Sequence, residues 1–275
     1  MQPAGAIETL HLFPDVRREL LALLRGLTTE EWARPATRKW TVKDVALHLL
    51  GGEIGILSRR CDAFTPPGAN IQSWADLVAF INQLNDDWLR ATRRISPRVL
   101  CDLLEFTAVQ AEEHFTSLDE NALGVPVDWA GPGPAPVWLD LAREYTERWH
   151  HQQQIRDAVG KPGLKEQRYF APVLDAFVRA LPWTYRSVAA ADGTVVQLTI
   201  SSEAGGAWCL QRERGTWKLY TGMAEKPSAS VTLDAEDAWR LFTKGRSKEE
   251  VRPRAHLDGD ARLAEQALEM ISIIG

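Results

Sequence analysis

Residues 143–160 read REYTERWHHQQQIRDAVG. Within this stretch Glu147 and His151 stand four residues apart, and Gly160 followed by Pro162 supplies a helix stop. Side chains at i and i+4 leave a helix from the same face, so a carboxylate and an imidazole can converge on one point. The best source of a third ligand is His48, in the helical pattern WTVKDVALHLL at 40–50. Two imidazoles and a carboxylate on facing helices describe a divalent-metal site inside a helix bundle, with coordination positions left open for chemistry. Zinc leads among the metals, although Fe(II), Ni and Mn accept the same donors.

Several neighbours bear on that reading. Leu141, Tyr145 and Trp149 form an apolar stripe on roughly the opposite side of the same helix, which by itself makes Glu147 and His151 a solvated pair. A buried metal site therefore requires the Tyr145/Trp149 side to be covered as well, by a C-terminal domain or by a second subunit in a homo-oligomer. His150 points about 100° away from His151 and competes with it as a ligand. Asp44 either caps its helix or orients the His48 ring. Gly51, Gly52 and Gly55 follow His48 on its own side; glycine costs roughly 1 kcal/mol within a helix. Three of them imply space for a ligand or the close approach of another helix. His11, His114 and His256 have no comparable arrangement.

The wider composition bounds the function. At 275 residues the chain has room for two domains. With 45% hydrophobic and 25% charged residues and a formal net charge of -5, it has the balance of a globular protein and no basic footprint for nucleic acid. Cys61, Cys101 and Cys209 form no CxxC pair or disulfide framework, which points to a reducing, cytoplasmic setting. The N-terminus lacks the pattern of a signal peptide, and no apolar run approaches the ~18 residues of a membrane span. The expected partner is a small-molecule substrate. Most of the eleven tryptophans are expected in the core.

Read in order, the chain begins with an amphipathic helix from Pro14 to Gly26, carrying Val16, Leu20, Leu23 and Leu24. Thr28 caps a short turn before Trp32, Thr41 caps a helix from Val42 to about Arg60, and Pro66-Pro67-Gly68 turns the chain. Ser73 opens a helix to about Ile95, and Ser96-Pro97 restarts one towards Phe115. Residues 124–136 are a Pro- and Gly-rich connection to the helix over 137–159. A further helix spans Gln167 to Leu181. Beyond Pro182 the period shortens: β-type runs at 195–200, 207–211, 217–220 and 230–233 precede a helix capped by Asp234 and ending near Gly245. A short strand at 255–257 and a helix over 261–273 follow. The fold class is multidomain, an all-helical bundle over 1–163 and a connecting helix with a smaller α+β domain over 164–275.

WTVKDVALHL together with ERWHHQQQIRDAVG resembles the DinB-like metal-binding bundles, and in particular the mycothiol-dependent maleylpyruvate isomerase family. The resemblance implies that His48, Glu147 and His151 hold a divalent metal, commonly zinc. ASVTLDAEDAWRLFTKG and AHLDGDARLAEQALEMI are similar to the C-terminal sterol-carrier-protein-like domains of many such proteins. Gln154 departs from an H-x-x-D arrangement found in many relatives. The implied activity is a metal-dependent transferase or isomerase reaction using a low-molecular-weight thiol such as mycothiol. The alternatives are a metal-dependent hydrolase, or a non-enzymatic protein that binds a metal or a small ligand.

Overall fold

A computed structural model describes residues 1–64 and 71–273, so the Pro66-Pro67-Gly68 turn lies outside the described residues. Two compact units emerge: residues 9–119 with 144–164, and residues 1–8, 120–143 and the chain from 165 onwards. This division differs from a single cut at residue 163, because two early segments belong to the sheet-containing unit.

The first unit is a helix bundle: α1 (Phe13–Arg25), α2 (Thr29–Trp32), α3 (Val42–Ile56), α4 (Trp74–Thr92), α5 (Pro97–Thr116) and most of α6 (Val137–Val159). Its helix starts are built locally. Thr28 and Thr41 each form a reciprocal capping box, with Glu31 and Asp44 respectively, and the Ser73 hydroxyl accepts from Asp76 N–H. At the far end of α6, Gly160 takes φ +70°, a left-handed stop that suits glycine. Helix α3 ends at Ile56, earlier than its sequence suggests, and gives way to a π-helical turn over Leu57–Cys61.

Apolar side chains from five helices close the core: Leu20 and Leu24 of α1, Trp32 of α2, Val42 and Leu50 of α3, Leu100 and Leu104 of α5, and Ile155 and Val159 of α6. Charged groups are buried beside them. Arg148 is 2.9 Å from both Glu53 Oε1 and Glu144 Oε2, and its guanidinium lies over the Phe13 and Phe115 rings at 5.3 and 5.4 Å. Glu53 Oε2 has no hydrogen-bond partner, and burial pushes this carboxyl above the usual range despite the neighbouring Arg148.

In the second unit, β1 (Gln2–Pro3) joins a six-stranded mixed sheet, and a two-stranded ribbon pairs β2 (Leu123–Pro126) with β3 (Pro134–Pro136). The segment expected as a plain connection therefore carries an antiparallel ladder. The remaining strands are β4 (Val195–Ser201), β5 (Gly206–Glu213), β6 (Thr216–Thr221), β7 (Ala229–Asp234) and β8 (His256–Gly259), in the order β1-β6-β5-β4-β7-β8. Only β4 and β7 are parallel, with Leu198 opposite Val231; the other neighbours in the sheet run antiparallel. The unit's helices are α7 (Gln167–Val178), α8 (Leu181–Thr184), α9 (Ala235–Phe242), α10 (Lys248–Val251) and α11 (Ala261–Ala267). Trp217, Trp239 and Phe242 are core residues here; Phe242 meets Phe177 edge-on at 6.5 Å, and Trp217 meets Tyr185 at 5.3 Å. An α-helical bundle followed by an α+β unit is thus the fold class. No helix among the described residues is long and apolar enough to cross a membrane.

Arg148→Met should destabilise the protein by about 3–5 kcal/mol, because two buried carboxylates lose their cation. Adding Glu53→Gln should recover part of that loss in urea unfolding; a single variant with wild-type stability would contradict this account of the cluster.

Candidate metal centre

Helices α3 and α6 bring His48, Glu147 and His151 together. One donor atom from each lies within 4.8 Å of the others. Both Nε2 atoms are 3.0 Å from the same oxygen, Glu147 Oε1, and the two imidazole rings meet edge-on with centroids 4.5 Å apart. The His48 and His151 side chains keep 16% and 10% of their exposure, whereas Glu147 keeps 40%, so the cluster opens on the carboxylate side. Trp40 forms a wall, its ring 4.9 Å from that of His48.

The outer nitrogens settle what this donor set offers. His48 Nδ1 is 3.1 Å from Asn85 Oδ1 on α4, and His151 Nδ1 is 2.8 Å from Gln154 Oε1 one turn along α6. Amide oxygens accept only, so each Nδ1 has a partner for its proton, and a neutral ring protonated there turns a bare Nε2 inward. Three lone-pair atoms this close repel one another unless a cation is shared among them. A proton can serve: burial opposes charge on Glu147, but His151 and His48 outweigh it and hold the carboxyl well below its ordinary range. Burial likewise works against a charged His151, yet Glu147 and the Gln154 contact raise its imidazolium above the ordinary value. A divalent ion suits the same atoms, since nitrogen and carboxylate donors with an open side are the make-up of a catalytic zinc site.

The opposite side of α6 is covered too. Leu141, Tyr145 and Trp149 are fully buried. Within the bundle, Tyr145 packs against Phe13 at 5.8 Å between ring centroids, and the Trp149 indole donates to Leu164 O at 2.7 Å. Burial of one face therefore does not force Glu147 and His151 into solvent.

Other candidates fall into place. His150 Nε2 faces Gln154 Nε2 at 3.2 Å and stands outside the three-residue cluster. Asp44 spends one oxygen on Thr41 N and Oγ1 in the capping box of α3, and Asn85 is the partner of His48. Arg156 donates to the carbonyls of Lys161 and Pro162 beyond the end of α6, and Arg90 pairs with Asp87 on the surface. The glycines divide their roles. A Cβ on Gly51 would come within 2.8 Å of the Trp88 indole, whose N–H donates to Leu47 O, while one on Gly52 would meet nothing within 4 Å. Gly51 lets α4 approach, and Gly52 faces open space. Gly55 lies against the Arg59 guanidinium.

The sequence profile described as "Mycothiol maleylpyruvate isomerase N-terminal domain" matches residues 13–156, more than half of the chain and all three cluster residues. The chain belongs to this family. Among solved structures, a mycothiol-dependent maleylpyruvate isomerase is similar to it over 84% of this chain and 86% of that one, with 12% identity and a TM-score of 0.52. A mutant of such an isomerase covers the same shares at 12% identity with a TM-score of 0.48. No curated protein matched the chain. Membership of the mycothiol maleylpyruvate isomerase family thus rests on the bundle, and the structural likeness extends the shared fold over both units.

Alanine at two adjacent glycines should give opposite results. Gly51→Ala must displace Trp88 and should cost about 1–3 kcal/mol. Gly52→Ala gains helix propensity of up to about 1 kcal/mol. Thermal melting of the two variants reads the difference, and equal shifts would refute the assignment of Gly51 to the α3–α4 contact.

Proposed function

We propose that this protein is a divalent-metal-dependent enzyme that uses a low-molecular-weight thiol of the mycothiol type in an isomerase or transferase reaction. One observation carries the reading: in a member of this family, His48 Nε2, Glu147 Oε1 and His151 Nε2 form a converging donor set, partly open to solvent. His48 and His151 would hold the ion through neutral nitrogens, and Glu147 would supply the compensating charge. Zinc is the first metal to test, given the two imidazoles and one carboxylate. When bound, such an ion supplies a Lewis acid able to keep a thiol as thiolate at neutral pH.

This chain's own groups prepare the site. Asn85 and Gln154 aim the two imidazoles, and Trp40 shields the His48 side from water. A depression of about 290 Å³ shares Trp40 with the centre and is lined by Lys39, Asp86, Arg90 and Arg93 among others.

Elemental mass spectrometry of the purified protein after zinc reconstitution should find close to one equivalent of metal, with most of it lost in His48→Ala and His151→Ala. Folded wild-type protein that stays metal-free would defeat the proposal. Turnover of a small unsaturated acid that requires added mycothiol supports the thiol reading; thiol-independent hydrolysis would replace it with a water-using enzyme.

Zinc affinity should also depend on pH. Glu147 holds the proton of His151 more tightly than in a free imidazole, and metal must displace that proton. Affinity should therefore fall by about tenfold per pH unit below the raised His151 value and level off above it. A flat profile through neutral pH would show that His151 gives up no proton to the metal.

A further inference from the structure

His151 is the end of a hydrogen-bonded chain that runs along α6 through Gln154 to His150. Gln154 places its oxygen 2.8 Å from His151 Nδ1 and its nitrogen 3.2 Å from His150 Nε2. An amide nitrogen only donates, so the His150 Nε2 that it meets must be bare. The amide oxygen only accepts, so His151 Nδ1 carries a proton, and loss of the other one bares the Nε2 that faces Glu147 Oε1. Rotating this amide by half a turn reverses both demands. Its NH2 would then face His151 Nδ1, and the proton of the neutral ring would move to Nε2, where it blocks ligation.

The two histidines are therefore coupled through one side chain. A bare Nε2 on His150 and a metal-ready Nε2 on His151 require the same amide orientation. His150 is 6% exposed, and its ring lies 5.1 Å from that of His151 at an interplanar angle of 31°, so its acceptor is held in place inside the bundle.

We propose that His150 is a positioning residue: by accepting from the Gln154 amide it fixes which way that amide faces, and thereby keeps His151 in the tautomer that can ligate a metal. This rests on the metal reading above, but the tautomer can be observed without any metal. His150 contributes no donor to the three-residue cluster, and its influence on His151 runs through Gln154. A carboxylate at position 154 would accept with either oxygen and would need no such lock.

That difference supplies the test, made on the full chain as wild type, His150→Phe, Gln154→Glu and the double variant. Zinc affinity is measured by competition with a chelator, and the ring ¹⁵N shifts of the metal-free proteins are read at alkaline pH, where the imidazoles are neutral. In the wild type His150 should be the Nδ1–H tautomer, and His151 should keep an Nδ1–H fraction against the pull of Glu147 on its Nε2. His150→Phe should weaken zinc binding by about tenfold, the lower end of the effects of outer partners on metal affinity, and should raise the Nε2–H share of His151. In the Gln154→Glu background the same change should alter affinity by less than about twofold, because the carboxylate orients His151 unaided. An equal loss in both backgrounds would overturn the proposal in favour of a packing role for His150. So would an Nε2–H His150 in the wild type, a result that does not depend on any variant folding. A wild type that binds no zinc yet shows the tautomer change on His150→Phe would refute the metal centre while leaving the lock intact.

Discussion

Helix α6 is polar at more than half of its positions and buried along most of its length. Asp140, Glu144, Thr146, His150, His151, Gln152, Gln153 and Arg156 are each under a tenth exposed, alongside the apolar Leu141, Tyr145, Trp149 and Ile155. A buried polar group without a partner costs a few kcal/mol, so such a helix depends on complementary atoms from its neighbours, although the buried Gln152 amide goes without. Much of the bundle answers this demand. Glu53 of α3 meets Arg148, Phe13 and Phe115 flank the same guanidinium, Leu164 O accepts from Trp149, and Gly163 O accepts from Gln153. The His48–Glu147–His151 cluster is one more case of this complementarity, and it is the one in which three acceptors meet and require a cation.

Local spacing made the centre partly legible in the sequence. Glu147 and His151 share a face because they are four residues apart in a helix, and no tertiary information enters that deduction. The helix starts were equally plain, since Thr28 with Glu31 and Thr41 with Asp44 are complete capping boxes within four residues. His48 was reachable as the one histidine inside a second strongly helical pattern. Asn85 was not. It lies 37 positions from His48, and an amide on an amphipathic helix looks the same whether it meets water or a buried ring.

Periodicity failed where burial was achieved by pairing charges. Arg148 sits beside Glu147 in a polar run, and Glu53 follows two glycines, so neither carries an apolar signal, although their side chains keep only 12% and 5% exposure. The covering of the Tyr145/Trp149 stripe was hidden for a related reason, since a helix with two buried faces carries no amphipathic signature to say so. In the sheet unit, the alternating runs of β4 to β7 were visible because side-chain direction has period two. Two-residue β1 was not, because its identity as a strand exists only through pairing of Gln2 with Thr221. The β2–β3 ribbon was masked by its prolines, which usually mark irregular chain.

The same logic bears on how the centre differs from one built with carboxylates behind its histidines. Amides at Asn85 and Gln154 hold the rings without adding charge, so Glu147 alone would offset a divalent ion and a loaded centre would retain a net positive charge. Its attraction for an anionic sulfur would then be less screened than with Asp behind His151. The cost is directional. A carboxylate accepts from an imidazole N–H with either oxygen, whereas an amide presents one acceptor and one donor, and only one of its two orientations leaves Nε2 bare. A metal held on neutral supports would therefore need its orientation from something else, and the contact of Gln154 with His150 on the same helix offers it.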